Sequence, residues 1–224
     1  MKNKVLIIAA HPDDETYGLG GTIMKLKEQG NEVNVFIMTD GVTARHDVKS
    51  LQKQAAENAC KKLGVDNLLF GDLPDQKLDE LALLEVIKPI SKTITEINPS
   101  IVFTHHGGDA NQDHRTIFDA TIVATRPFGN NPVKELYTYE VASSTEWAPS
   151  LNHWTFQPNY YINIENYLDK KIEAALEYSK TFQSEVPPYP HPRSPEAIKI
   201  YAEKRGIEVG FRSAEAFQII RKLG

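Results

Sequence analysis

The stretch Ile7–Gly21, IIAAHPDDETYGLGG, carries four apolar residues straight into a histidine, a proline and three consecutive acids. Lys4–Ala10 has the composition of a buried strand, and Thr16–Gln29 has a helical period that stops at Gly30. The polar turn between them is therefore the bend of a β–α unit. Acids as close as Asp13, Asp14 and Glu15 repel one another, and the end of a core strand is a poor place for them unless something offsets the charge. The alternation continues along the chain. Val33–Met38 is a strand and Val48–Leu63 a helix ending at Gly64. Leu68–Phe70 is a short strand, and Leu78–Ile97 a helix ended by Asn98-Pro99. Ile101–Thr104 is a strand and His114–Thr125 the helix after it. Short β-rich runs separated by helices imply right-handed crossovers and a mainly parallel sheet covered on both faces, the doubly wound, Rossmann-like α/β class.

Beyond Pro127 the pattern changes. Leu136–Val141 and Tyr160–Ile164 read as strands, Tyr167–Thr181 as an amphipathic helix, and VPPYPHPRSP (Val186–Pro195) as a proline-stiffened loop. Together they make a C-terminal β/α extension. With no internal repeat, low-complexity tract or linker, residues 1–224 are expected to form one domain.

Composition narrows the function classes. The net charge of −5 gives no basic footprint for nucleic acid or an anionic membrane. Cys60 is the only cysteine, which excludes a disulfide framework and a cysteine-based metal site and suits a reducing cytoplasm. No apolar run approaches the roughly 20 residues that span a bilayer. The N-terminal MKNKVLIIAA runs into HPDD rather than a small-residue cleavage site, so a strand is expected there and not a signal peptide. The assembly state stays open between monomer and homo-oligomer.

A second polar cluster follows the strand Ile101–Thr104: HHGGDANQDHR, His105–Arg115. In the commonest doubly wound order the first and fourth strands are neighbours, and ligands bind in the crevice at their carboxyl ends. Two charged loops far apart in sequence are thus expected to meet. Histidines and carboxylates converging in a crevice suit a metal, and two imidazoles with one carboxylate form a zinc set that leaves a position open for water. A further carboxylate can then serve as general base. Plainer explanations stand beside this one. The acids Asp13–Glu15 suit a helix N-terminus, His11-Pro12 suits a simple turn, and Asp113 suits an N-cap.

These residues resemble the PIG-L/LmbE family of metal-dependent de-N-acetylases, which remove acetyl groups from N-acetylated amino sugars and their conjugates. The resemblance rests on AHPDDE (Ala10–Glu15), TDG (Thr39–Gly41) and DH (Asp113-His114), with PHPRS (Pro190–Ser194) similar to a bacterial branch associated with surface sugars. It implies that His11, Asp14 and His114 hold the metal, Zn2+ or another divalent transition metal such as Fe2+. It implies that Asp13 is the general base and that Asp113 orients a neighbouring imidazole. Glu15 is expected at the helix start rather than as a ligand. The substrate is expected to be a small N-acetyl sugar or sugar conjugate. One position departs from the family pattern: Asn111 stands where many members carry a histidine that stabilises the oxyanion. Asparagine donates a hydrogen bond but is no cationic acid, so either Asn111 plays a weaker version of the part or His105, His106 or His191 supplies the cation.

Other residues have two readings each. GLGG (Gly18–Gly21) has Ile23 where the dinucleotide fingerprint has its last glycine, and is read as a point of close helix packing. His106, His191 and Arg193 are candidates for substrate binding, the last two in a loop held by prolines. Trp147 and Trp154 suit either a sugar platform or buried anchors, and Arg45 and His46 follow the second strand within reach of a substrate. The expected activity is hydrolysis of an acetamide. The rivals are a sugar- or nucleotide-binding protein without turnover, which Asn111 favours, and a metallophosphoesterase, which the two imidazoles disfavour.

Overall fold

The computed structural model describes residues 2–41, 49–181 and 186–224; Arg45 and His46 lie outside the described residues. Its strands are β1 (Lys4–Ala9), β2 (Glu32–Thr39), β3 (Asn67–Leu73), β4 (Ile101–His105), β5 (Glu135–Tyr139), β6 (Tyr160–Asn163) and β7 (Ala214–Lys222). Its helices are α1 (Asp14–Glu28), α2 (Lys49–Leu63), α3 (Leu83–Ile97), α4 (Gln112–Ala124), α5 (Leu168–Thr181) and α6 (Pro195–Ile207). One sheet of seven strands runs in the order β3-β2-β1-β4-β5-β7-β6. β1 pairs in parallel with β2 and β4, and β4 with β5, while β7 is antiparallel to β5 and β6. This is a doubly wound α/β fold, and β1 and β4 are neighbours.

Period-two alternation sends successive residues of a strand to opposite faces. Val5, Ile7 and Ala9 of β1 join a core with residues of α1, α2, α5 and α6, whereas Leu6, Ile8 and Ala10 join a second core with residues of α3 and α4. Both faces of β1 are buried, which explains its unbroken apolar run.

Two segments differ from the sequence expectation. The helix expected over Leu78–Ile97 is a 3-10 turn at Leu78–Glu80 followed by α3, with extended Ala82 between them. The backbone N–H groups of Gln76 and Leu78 donate to the Asp113 carboxylate at 2.8 and 3.1 Å, which ties this turn to the start of α4. The second difference is an omission: α6 and β7 were not expected. Ser194 caps α6 by accepting from the Ala197 N–H, and Pro195 occupies its first turn. However, Ile200 is half exposed on that helix, which leaves a weak apolar stripe. In β7, Glu215 interrupts the apolar run although it is buried.

The GLGG run serves close packing. A Cβ on Gly18 would lie 2.4 Å from the Tyr139 ring, and one on Gly21 2.7 Å from Ile164. α1 also breaks at Leu19 (φ −148°, ψ 27°). Buried Glu215 accepts from the freed N–H groups of Gly21 and Thr22 at 2.9 and 2.6 Å. Lys171 donates to the Tyr17 carbonyl at 2.8 Å and to Glu215 at 2.6 Å, so the break is satisfied from both sides.

Candidate functional site

The turn leaving β1 is set by local geometry. Asp13 has φ 121° and ψ −28°, a region that costs a non-glycine residue about 1–3 kcal/mol. Gly41 of the TDG segment packs so closely that a Cβ there would lie 2.8 Å from Pro12, and its φ of +67° also favours glycine. The His11 N–H donates to Asp14 Oδ2 at 2.8 Å, folding the two side chains inward. From the next strand over, α4 starts at Gln112 and turns His114 into the same crevice.

Three donor atoms meet there. His11 Nδ1 lies 3.3 Å from His114 Nε2, and each lies 3.4 Å from Asp14 Oδ2. These three residues form a group able to hold a metal ion. A tetrahedral ion with bonds of about 2.0–2.1 Å separates its ligands by about 3.3–3.4 Å, so the triangle already has the needed size. Asp14 is fully buried, and its Oδ1 has no hydrogen-bond partner among the described residues. Buried carboxylate oxygens without partners are costly, and a cation supplies what this one lacks. The residues fit a divalent ion of the zinc class.

A second group, His11 with Asp75 and Asp113, has a different character. Both Asp113 oxygens accept backbone N–H groups, from Gln76 and Leu78. Asp113 and Asp75 face His11 Nε2 at 3.2 and 3.1 Å, which turns Nδ1 toward Asp14 and His114. His114 is held in the same way by Asp109, a residue the sequence reading passed over. Asp109 Oδ1 lies 3.2 Å from His114 Nδ1, and the carboxylate also accepts from the Asn111 N–H, from Ser144 Oγ and from Thr145 Oγ1.

Electrostatics follow from these contacts. Burial opposes charge on His114, but Asp14 and Asp109 outweigh it and raise its pKa to about 9. Burial likewise opposes charge on His11, and Asp113, Asp14 and Asp75 outweigh it. Burial would raise Asp14, yet His114 foremost, and His11, hold its carboxyl well below the usual range. His105 behaves oppositely: burial and neighbouring His114 lower its pKa to about 4. Its Nε2 accepts from the Ala10 N–H at 2.8 Å and its ring stacks on His114 at 3.9 Å, so it is a neutral buttress. Glu15 is buried behind α1, where Thr16 and Tyr178 donate to it at 2.5 and 2.7 Å and burial raises its pKa.

Beside the triangle lies a cavity of about 240 Å³ lined by Asn111, His114, Ser143, Trp147, His191 and Arg193, among others. The structure thus brings His191 and Arg193 to one space with His114. Arg193 Nη1 pairs with Asp13 Oδ2 at 2.6 Å, and its Nε donates to Ser143 Oγ at 2.7 Å. His191 Nδ1 accepts from the Arg193 N–H at 3.2 Å, which leaves Nε2 to carry the proton. Asn111 caps α4 through its Oδ1, which accepts from the Asp113 N–H at 2.9 Å. His106 and Trp154 are placed elsewhere. The His106 ring meets the Trp154 carbonyl at 3.1 Å and packs on Phe156, while the Trp154 ring carries the Arg115 guanidinium at 4.9 Å.

Among the described residues no helix is long and apolar enough to cross a membrane. The chain is 25% identical over 199 residues to the probable N-acetyl-alpha-D-glucosaminyl L-malate deacetylase 2 of Bacillus anthracis, covering 83% of this chain and 85% of that one. It is 26% identical to the diacetylchitobiose deacetylase of Thermococcus kodakarensis, covering 82% of this chain and 72% of that one. In fold it resembles the N,N'-diacetylchitobiose deacetylase of Pyrococcus horikoshii, with a TM-score of 0.76 at 24% identity, covering 98% of this chain and 84% of that one. Residues 6–125, more than half of the chain, match the family described as PIG-L: GlcNAc-PI de-N-acetylase. That span holds both polar clusters, and the chain belongs to this family of deacetylases.

Proposed function

We propose that this protein hydrolyses the acetamide of an N-acetylated amino sugar or sugar conjugate, releasing acetate and the free amine, with a divalent metal held by His11, Asp14 and His114. The observation that carries the reading is the triangle of donor atoms at 3.3–3.4 Å, to which Asp14 contributes Oδ2 while its other, buried oxygen has no hydrogen-bond partner among the described residues. Zinc, when bound there, polarises a carbonyl and acidifies water. The remaining work belongs to side chains. Asp13 takes a proton from the attacking water at its carboxylate, and Arg193, paired with it at 2.6 Å, keeps that carboxylate aimed. Asn111 Nδ2 donates a neutral hydrogen bond to the developing oxyanion. Asp13 then passes that proton to the leaving nitrogen, and His191 Nε2–H donates a hydrogen bond to the bound substrate. Asp109 and Asp113 hold the two ligand imidazoles in place.

The test pairs elemental analysis with acetate release from a panel of N-acetyl sugars. One divalent ion per chain is expected. Chelation should abolish acetate release, and zinc should restore it more fully than Fe2+. Equal activity of the metal-free protein would refute the metal's part. The binding-only reading rests on Asn111, whose Oδ1 is committed to capping α4. Acetate release from any member of the panel removes it.

A further inference from the structure

An acid at the N-cap of a helix ordinarily turns its own carboxylate back to the first-turn N–H groups. Asp13 holds that position in α1, and its side chain makes no cap bond. The N–H groups of Thr16 and Tyr17 go instead to the Asp13 carbonyl, at 3.0 and 2.9 Å. The Asp13 N–H donates to Glu15 Oε2 at 3.1 Å, the backward reach of a capping box. With both backbone groups of Asp13 held in this way, its carboxylate is left to the crevice and to Arg193. Glu15 is no ordinary capping acid at a helix surface. It is fully buried, where a carboxylate is costly unless hydrogen bonds offset the lost water. Its second oxygen, Oε1, accepts from the neighbouring Thr16 hydroxyl and from Tyr178 Oη at 2.7 Å. Tyr178 is itself buried, on α5, 163 residues along the chain from Glu15.

The strain at Asp13 explains why so much is assembled there. Turning over the Pro12–Asp13 peptide would move the Asp13 φ of 121° by about 180°, into the right-handed helical region that suits its ψ of −28°. A relaxed backbone is therefore one peptide flip away. That flip would withdraw the Asp13 N–H from Glu15 and bring the Pro12 carbonyl oxygen round to face the carboxylate. Glu15 thus favours the strained form twice, through the bond it accepts and the repulsion it avoids. Backbone strain persists only where the surroundings over-determine it. Here the bond from Tyr178 fixes the carboxylate that fixes the peptide.

We infer that Glu15 and Tyr178 are positioning residues, which lock Asp13 in its strained conformer so that its carboxylate meets the attacking water while they touch neither substrate nor metal. This rests on the deacetylase reading, and the experiment separates the two. Amide hydrogen exchange at Asp13, read by NMR on the zinc-loaded protein, reports the lock without any turnover. Acetate release from the panel of N-acetyl sugars reports its consequence. Glu15→Met is close in length but accepts nothing. It should speed exchange of the Asp13 N–H about tenfold and lower kcat about a hundredfold, with KM and metal content unchanged. Glu15→Gln keeps an acceptor oxygen and should restore most of both. Tyr178→Phe should shift both in the direction of Glu15→Met, by less. In an Asp13→Asn background, where no base remains to be aimed, Glu15→Met should cost no further kcat. Equal loss of kcat in both backgrounds would make the role merely structural and overturn the inference. So would an Asp13 amide that exchanges equally fast with and without the Glu15 acceptor. Should Glu15→Met fail to fold, unchanged exchange and kcat in Tyr178→Phe overturns the lock on its own. An Asp13 amide protected only when residue 15 accepts, with no acetate from any sugar, upholds the lock and sinks the deacetylase reading.

Discussion

Asp109 serves three segments at once: the His114 ring, the Asn111 backbone and the hydroxyls of Ser144 and Thr145. The surrounding charges hold its carboxyl well below the usual range, His114 foremost once burial is overcome. Asp109→Asn keeps the size but turns donors against donors. Metal affinity should fall about 10–100-fold, the usual cost of removing a partner of a ligand imidazole, as measured by chelator competition. Unchanged affinity would show that His114 needs no orienting partner. Asp13 behaves differently, because it pairs with Arg193 and is absent from the donor triangle. Asp13→Asn should keep its metal while acetate release slows by about 10²–10⁴, as for loss of a general base. Loss of metal on that change, with retention in Asp14→Asn, would exchange the two roles. Much of this cluster was legible in the sequence, because chemistry of this kind needs imidazoles and carboxylates at strand ends. Asp109 was not, since an aspartate that accepts from the N–H two residues on looks like any turn. The departure of His106 from the cavity was equally hidden, since its partner, the Trp154 carbonyl, lies 48 residues away.

At the level of elements, the break in α1 depends on a charge pair inside the protein. Lys171 and Glu215 are both nearly buried, and between them they satisfy Tyr17, Gly21 and Thr22. Removing one partner strands the other. Glu215→Ala and Lys171→Met should each destabilise by about 3–5 kcal/mol, while the double variant should cost clearly less than their sum. Denaturant unfolding of the four proteins checks this, and strict additivity would show that the two charges act independently. The apolar period that marked the core strands and most helices was readable because burial on a known face leaves a periodic trace. α6 left little trace because it half exposes Ile200, and β7 because Glu215 sits within its run. The expected single helix over Leu78–Ile97 failed because apolar period alone does not register a pull from Asp113 on the backbone of Gln76 and Leu78.

Across the whole molecule, the placement of β1 beside β4 makes the site, and the doubly wound strand order anticipated it. An ion that bound only the folded crevice would stabilise the entire fold. At free zinc a thousandfold above its dissociation constant the gain is about 4 kcal/mol. Thermal melts should therefore rise by several degrees when chelated protein is reloaded, and an identical midpoint would place the ion's binding energy outside the fold. The donor triangle comes entirely from residues 11–114, whereas the cavity beside it adds Ser143, Ser144, Trp147, His191 and Arg193 from later in the chain to Ala110, Asn111 and His114. This creates a division of labour along the chain. Changes in the later stretch can retune which substrate is accepted while the donor triangle keeps its dimensions, except at Arg193, at His191 and at the turn that Asp109 grips. Those ties mark where new selectivity carries a penalty in rate, and they set the order in which a redesign of substrate range should proceed: the untied rim first, the tethered positions last.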